Sequence, residues 1–491
     1  MINESNMLRF FDLKFNSFTL LDKKTFLIYN FRMLKIIFCL LISFSSIAKV
    51  AMPNSDYTYA LMDLSNNKIV SKQNEDNPMT LASVSKLFTM HYALSILGVD
   101  YKFRTRIYFD GDIDNGIAKG KLYLIGSGDP YLTAPNVVSL IQQLKNKGIR
   151  KLDGEFIYDD SHLSFVKKIS TIGLEDQPDN PSMGALNIEF NRFKVWGRGE
   201  EVHPPLKFIA LESRDMSSNG LKFNFLNNNG LETWLVNKKE KINYIEDLPT
   251  RDSSVFTAEY FRLLGERLGV DLPKAKRGIW QNNGKLFAEH SGLPLNRLAY
   301  LCLEYSNNLI AETLLKSAVK EDKNQIVGSE KASELMHKWL QESFNDIDWK
   351  KSSFINGSGL TINNKVSANT MVQYLQKLSD HQYNTHSFFS LLSINAHSGG
   401  LARRLRHPSY AYRVFGKTGS LHYVSNLAGY LIANSGKRYA FAIFMTDKDK
   451  REKLNGKNSK ENNVLRNESK PWYSSSILEQ DELLKEWIQR Y

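Results

Sequence analysis

Three short strings in this chain carry the residue types of serine acyl transfer: Ser83-Val84-Ser85-Lys86, Ser306-Asn307-Asn308 and Lys417-Thr418-Gly419. A serine with a lysine three residues on supplies a nucleophile and a base, provided burial strips the ammonium of water and lowers its pKa. Ser306 offers a hydroxyl to relay a proton between Lys86 and a leaving group, and the Asn308 amide can hold a substrate peptide group. A Lys417–Thr418 pair on a strand can bind a substrate carboxylate, the small Gly419 lets a peptide approach, and the Ser83 and Ser420 N–H groups would face an oxyanion. Each string alone is weak. Ser-x-x-Lys recurs at Ser46, Ser65 and Ser164, and Ser-x-Asn at Ser65, Ser217 and Ser393. In isolation Ser83 and Ser306 read equally well as helix caps, and the two lysines as solvated.

The elements that must position these residues strengthen the set. Leu87, His91 and Leu94 recur at helical spacing with Phe88 and Ile96 beside them, and Gly98 ends the run. Ser83 therefore falls at a helix N-terminus with Lys86 on the same face. Leu309, Ile310, Ala311, Leu314 and Leu315 make a buried helix face directly after Ser306–Asn308. Lys417 lies in a strand-like segment, and two further β-like stretches, 427–433 and 439–445, are joined by an Asn434-Ser-Gly-Lys437 turn.

The 491-residue chain has 42% hydrophobic and 24% charged residues, an ordinary globular balance with room for two or three domains. Its net charge of +12 comes from lysines scattered among asparagines without interleaved aromatics. That speaks against nucleic-acid binding and for, at most, mild attraction to anionic envelope polymers or lipid surfaces. Met33-Leu-Lys35, the apolar run 36–44 and Ser46-Ile47-Ala48 have the layout of a secretory signal peptide, with 1–32 as an upstream extension. Phe38 before Cys39 argues against a lipoprotein signal. Removal of the leader leaves only Cys302, in an apolar stretch, so no disulfide is expected and Cys302 is expected to be buried.

Tyr57–Leu64, a Ser65-Asn66-Asn67 turn and 68–70 read as a hairpin before the Ser83 helix. Strands at both ends of the chain with helices between them give an α+β organisation: an antiparallel sheet with flanking helices. Between 98 and 284 the texture changes to short β-like pieces at 106–109, 121–125, 154–158, 207–209 and 222–225. The expected division is a catalytic domain at 53–97 plus 285–491, interrupted by a β-rich inserted module at 98–284. Residues 447–470 read as a polar loop, followed by an amphipathic helix capped by Ser476 and Glu479, with Leu484, Trp487 and Ile488 on its apolar face. That face is expected to pack on the sheet, with a weak membrane-surface contact as the alternative.

From about Pro53 to Met445 the chain resembles the D-alanyl-D-alanine carboxypeptidase/endopeptidase family of type-4 low-molecular-mass penicillin-binding proteins, peptidase family S13. Besides the three motifs, the resemblance covers Gly98–Thr105, Gly126-Ser-Gly-Asp-Pro-Tyr-Leu132, Asp159-Asp-Ser161, Asn356-Gly-Ser-Gly-Leu360 and Gly399-Gly-Leu-Ala-Arg-Arg404. The resemblance implies a serine β-lactamase/transpeptidase-like catalytic domain without metal or cofactor, acting in the periplasm on peptidoglycan stem peptides. Ser83 would form the acyl-enzyme, with Lys86 as base, Ser306 as relay and Asn308 as substrate-amide ligand. Lys417 with Thr418 would hold the carboxylate, and Gly419 and Ser420 would line the substrate. β-Lactams would acylate Ser83.

The chain also departs from that family. Asn307 and Asn356 each replace the usual Asp. Ile362 stands where the family commonly has an arginine, expected to hold the free carboxylate of a diaminopimelate side chain. Isoleucine cannot do so. Arg403 or Arg404 is the candidate to replace it, and Glu175 or Asp176 to hold the side chain's amine. A β-lactamase or esterase on the same scaffold would need an extra carboxylate to activate water for deacylation, and none is evident. A non-catalytic wall-binding protein would not need Ser83, Lys86, Ser306, Asn308 and Lys417 intact.

Overall fold

β1 (Asp56–Asp63) and β2 (Lys68–Gln73) form the N-terminal hairpin, antiparallel across the expected Asn66–Asn67 turn. Asn67 takes a φ of 60° there, a conformation asparagine tolerates. In the computed structural model of the chain the described residues are 56–172, 174–216, 221–228, 231–454 and 459–491; the expected leader at 33–48 and the extension at 1–32 lie outside them.

A short 3₁₀ turn, Ala82–Ser85, leads into α1 (Lys86–Leu97), which Gly98 ends at a φ of 81°. Ser83 thus sits in the turn, and Lys86 opens the helix proper. Every residue of α1 from Lys86 to Leu94 is buried. A helix apolar all round is a central one, and α1 packs against both α2 (Leu295–Tyr305) and α3 (Asn308–Lys323). Cys302 is buried in the core between them.

The C-terminal part adds β3 (Ser393–Ile394), β4 (Val414–Leu421), β5 (Val424–Ile432) and β6 (Arg438–Thr446). They complete an antiparallel six-stranded sheet in the order β3-β4-β5-β6-β1-β2, so the N-terminal hairpin joins the C-terminal strands at the β6–β1 pair. β3 pairs only with Phe415 and Gly416 of β4. The edge of β4 from Lys417 onward is left unpaired by it.

Residues 447–470 are not the polar loop expected from composition. They include α4 (Lys448–Lys453) and the first part of α5 (Ser459–Arg490). Helix α5 does not start at a Ser476 cap. Ser476 lies fully buried inside it and donates to the Tyr473 carbonyl at 2.7 Å, while Pro471 is accommodated within the same helix. Lysine and asparagine in the first turns hid a helix whose stability comes from packing on the sheet. Leu484, Trp487 and Ile488 are buried against Leu427 and Phe441, so this apolar face is covered by the sheet and not free for a membrane surface. Among the described residues no helix is long and apolar enough to cross a membrane.

Between α1 and α2 the chain builds a second sheet with its own core, in the order 276–277, 151–159, 117–126, 102–114 and 285–294. Strand Lys285–Pro294 belongs to this sheet, pairing with Lys102–Asp114, and so extends it beyond residue 284. The stretch is less purely β than its texture predicts. Helix Ala134–Asn146 carries the crossover between the parallel strands Ile117–Gly126 and Lys151–Asp159, and Ser253–Arg267 forms another helix. Residues 207 and 208 form a turn, with the strand beginning at Ile209.

Candidate active site

The nucleophile turn is held in a strained shape. Ala82 takes a left-handed φ of 49°, sparsely populated for a residue with a Cβ. Asn426 of β5 fixes the approach to it, its Nδ2 donating to the Thr80 carbonyl at 2.6 Å and the Leu81 carbonyl at 3.0 Å. Gly419 on β4 backs onto the same turn. A Cβ there would lie 2.5 Å from the Leu81 oxygen and 3.0 Å from the Val84 nitrogen. The absence of a side chain at Gly419 therefore serves the strand's packing on the turn that carries Ser83, beside the peptide approach expected of it.

Lys86 Nζ donates to Ser83 Oγ at 2.9 Å, to Asn308 Oδ1 at 2.8 Å and to the Ser358 carbonyl at 2.6 Å. All three ammonium protons have neutral acceptors. Burial accordingly pushes the lysine down to about 8, against the opposing pull of Cys302, Glu312 and Asp179. Lysine in this state can take the Ser83 proton near neutral pH.

Ser306 caps α2 in a left-handed conformation, φ 58°, and Asn307 caps α3 by accepting from the Ile310 N–H at 3.0 Å. The string is thus both a helix junction and part of the site. Lys417 Nζ donates to Ser306 Oγ at 3.0 Å and to the Thr418 carbonyl at 2.8 Å. Burial, reinforced by the Lys86 charge, pushes Lys417 down to about 7. In this arrangement Ser306 is the direct partner of Lys417 and not of Lys86. Asn308 is likewise turned inward, its Nδ2 donating to the Asp179 carbonyl at 2.9 Å. Its Oδ1 is thus engaged by Lys86 and its Nδ2 by the Asp179 carbonyl, where the expectation had the amide on a substrate peptide group.

A cavity of about 1020 Å³ opens over these groups, its lining including Ser83, Ser306, Asn308 and Ser420 from the expected set. Lys86 and Lys417 lie buried behind the two serine hydroxyls they contact. Thr418 is half-buried on the free edge of β4, where only a glycine at 400 fits, because a Cβ there would lie 2.4 Å from Thr418 Oγ1.

Several contributors were given no role in the site from sequence. Ser358 supplies the third acceptor of Lys86, and its own N–H donates to Glu312 Oε1 at 2.7 Å. Asn356 closes this loop by accepting from Gly359 N–H at 2.9 Å. Asn364 bridges the loop to the nucleophile turn, donating to the Asn356 carbonyl at 2.7 Å and to Ser85 Oγ at 3.0 Å. The Asn356-Gly-Ser-Gly string marked the loop, but nothing in it says which atom meets Lys86. The expected replacements for an arginine at 362 do not reach the cavity. Arg404 is bound to Asp481 and Gln480 of α5, and exposed Arg403 is not part of the lining. Glu175 pairs with Lys168, and Asp176 accepts from the Lys222 and Phe223 N–H groups.

The chain matches the D-Ala-D-Ala carboxypeptidase 3 (S13) family over residues 45–196 and 262–467, more than half its length. It belongs to that family. Within it, the chain is 25% identical over 429 residues to a D-alanyl-D-alanine carboxypeptidase, DacB, of Haemophilus influenzae, covering 82% of this chain and 88% of the relative. A D-alanyl-D-alanine carboxypeptidase of Actinomadura sp. strain R39 is 25% identical over 410 residues, covering 74% and 72%. The crystal structure of penicillin-binding protein 4 from Haemophilus influenzae superposes with a TM-score of 0.71 at 23% identity, covering 80% of this chain and 91% of that one. The same protein complexed with a β-lactam superposes at 0.68 and 24% identity. These superpositions give the S13 chain a penicillin-binding fold, α+β with an antiparallel sheet and flanking helices.

Proposed function

We propose that this S13 enzyme is a serine D,D-carboxypeptidase of peptidoglycan stem peptides, with Ser83 as nucleophile and Lys86 as base. The observation that carries this is the Lys86 ammonium, fully buried, 2.9 Å from Ser83 Oγ and without a carboxylate hydrogen-bonded to it among the described residues. Ser83 Oγ attacks the carbonyl of the penultimate D-Ala as its proton passes to Lys86. The terminal D-Ala then departs, its nitrogen taking a proton from Ser306 Oγ as that oxygen takes one from its hydrogen-bonded Lys417. Water attacks the ester, its proton returning to Lys417 by way of Ser306, and Ser83 leaves with the proton held on Lys86. Before reaction Lys417 and Thr418 hold the terminal carboxylate, which raises the Lys417 pKa on binding. The N–H groups of Ser83 and Ser420 receive the oxyanion.

The cavity, about 1020 Å³, has room for a branched peptide, so cleavage of cross-links belongs to the same site as a second activity. Secretion to the periplasm through the 33–48 leader fits a wall substrate. The β-lactam complex of the Haemophilus relative supports acylation of Ser83 by penicillins.

The test is labelling with a fluorescent penicillin together with D-Ala release from a pentapeptide, in wild type and Ser83→Ala. Label and release that both vanish in the variant are expected. Release that persists without Ser83 would sink the proposal, and fast penicillin turnover without release would select the β-lactamase alternative.

A further inference from the structure

Lys86 owes one of its three acceptors to a side chain that is itself held from far along the chain. Asn308 turns Oδ1 to Lys86 at 2.8 Å while its Nδ2 is taken by the Asp179 carbonyl at 2.9 Å. An amide without that carbonyl can turn over, and the turned amide points its NH2 donors at an ammonium that has only donors itself. What fixes the Asp179 carbonyl therefore bears on Lys86.

Asp179 belongs to an irregular segment of the stretch between α1 and α2. The segment departs at Val166 and returns at Met183, which bridge each other, and among its described residues no helix or strand forms. Its backbone groups must find partners outside a regular ladder. Asn180 closes it locally, accepting from the Ser170 N–H at 2.8 Å and donating to the Ser170 carbonyl at 2.9 Å. The Asn180 N–H, in the same peptide plane as the Asp179 carbonyl, donates to the Gln177 carbonyl at 3.1 Å.

Arg251 supplies the remaining hold from outside the segment. It is 4% exposed and stands between the strand Ile245–Pro249 and the helix Ser253–Arg267. Nη1 donates to the Asn180 carbonyl at 2.8 Å and reaches the Lys167 carbonyl at 3.5 Å, while Nη2 donates to the Glu175 carbonyl. One planar fork thus joins the beginning, middle and end of the segment, which a point-like ammonium is not shaped to do. The fork is aimed in turn. The Arg251 N–H donates to Glu232 Oε2 at 2.9 Å, Thr250 and Trp234 donate to the same buried carboxylate, and the guanidinium lies 5.5 Å from the Trp234 ring centre. Burying a guanidinium is costly, and the charges of Glu175 and Glu232 offset part of that cost. Arg251 does not line the cavity, so whatever it does for the reaction goes through the segment.

Resting on the function proposed above, we infer that Arg251 is a positioning residue for Lys86. By pinning the Glu175 and Asn180 carbonyls it holds the Asp179 carbonyl against Asn308 Nδ2, and Asn308 Oδ1 stays turned to the ammonium.

The experiment is a double-mutant cycle read by penicillin acylation. The limiting acylation rate and the penicillin Kd are measured for wild type, Arg251→Lys, Asn308→Ala and the double variant, each shown to be folded by its melting transition. Arg251→Lys is expected to slow the limiting rate about tenfold or more, the size of one hydrogen bond to a charged group. Once residue 308 is alanine, the same change is expected to slow it by less than about twofold. No slowing, an equal slowing in both backgrounds, or an effect confined to Kd makes Arg251 a prop of the cavity wall and overturns the inference. Asn180→Ala loosens the same segment without removing a partner of the guanidinium, and is expected to show the same dependence on Asn308. It decides the question where Arg251→Lys does not fold, and equal slowing in both backgrounds there overturns the inference too. A wild type that penicillin does not acylate at Ser83 overturns the underlying function instead, and this role with it.

Discussion

Lys417 Nζ donates to Ser306 Oγ at 3.0 Å, so the second serine of the site is the partner of the strand lysine, while the helix lysine Lys86 serves Ser83. Each hydroxyl has its own buried ammonium. In the proposed mechanism the two lysines enter the reaction in opposite protonation states, Lys86 neutral to accept a proton and Lys417 charged to hold a carboxylate.

That division predicts a bell-shaped pH profile. With Lys86 near 8 and Lys417 near 7, acylation by a carboxylate-bearing β-lactam rises with pH as Lys86 deprotonates and falls as Lys417 does. The maximum lies at about 7.5, the two limbs belonging to the pair as a coupled unit. Because the acid titrates below the base, only a minor fraction of free enzyme holds both in working form. Lys417→Arg, which stays charged, is expected to lose the descending limb in stopped-flow acylation. A limb that survives would remove Lys417 from that role.

Asn308 presents a neutral oxygen to Lys86 at 2.8 Å. Asn308→Asp places an anion there and favours the ammonium. The bell should lose height and its descending limb move to higher pH, acylation at neutral pH slowing about tenfold for each unit by which the lysine rises. An unchanged profile would contradict a tuning role for this amide.

Gly419→Ala puts a methyl 2.5 Å from the Leu81 oxygen, and backbone cannot swing away as a flexible side chain does. The strand and the nucleophile turn must separate, at a cost of about 1–3 kcal/mol. Thermal melts should register the loss, and penicillin labelling should slow at least as much. Full activity with an unchanged melting temperature would mean that the contact carries no strain.

Glu312 accepts the Ser358 N–H at 2.7 Å from a fully buried position, and its Oε2 has no partner among the described residues. Glu312→Ala frees the loop that carries the third acceptor of Lys86, costing about 1–3 kcal/mol for a buried N–H left without its acceptor. Glu312→Gln keeps an acceptor of the same shape and should recover most of the acylation rate. Equal rates in both variants would show that the loop holds itself.

Asp179 is the one carboxylate in the cavity lining among the described residues, and it is exposed at the wall with its carbonyl spent on Asn308. Among those residues no group is therefore placed as a dedicated base for the water that releases a penicilloyl ester. A chromogenic cephalosporin should give a burst of one equivalent and then slow turnover. Rapid steady hydrolysis is the contrary result.

Much of this was legible in the residues. Ser83 with Lys86, Asn307 at a helix start, the buried Cys302 and the two hairpins depend on spacing and turn chemistry within a few residues of one another. The misreadings have local causes too. The lysines and asparagines of 447–470 read as a polar loop, yet α5 begins within it because Trp472, Leu484 and Trp487 bury against the sheet.

The sequence by itself determined the proposed acyl-transfer equipment, because the candidate nucleophile with its base, and the candidate carboxylate ligands, are residue types at short fixed separations within each string. Which hydroxyl pairs with which lysine, the inward turn of Asn308, the reach of Ser358 to Lys86 and the hold of Arg251 on the Asn180 carbonyl were decided only by tertiary structure. Each joins residues tens to hundreds of positions apart in the chain, held in register by a sheet and helices that close the site from both ends.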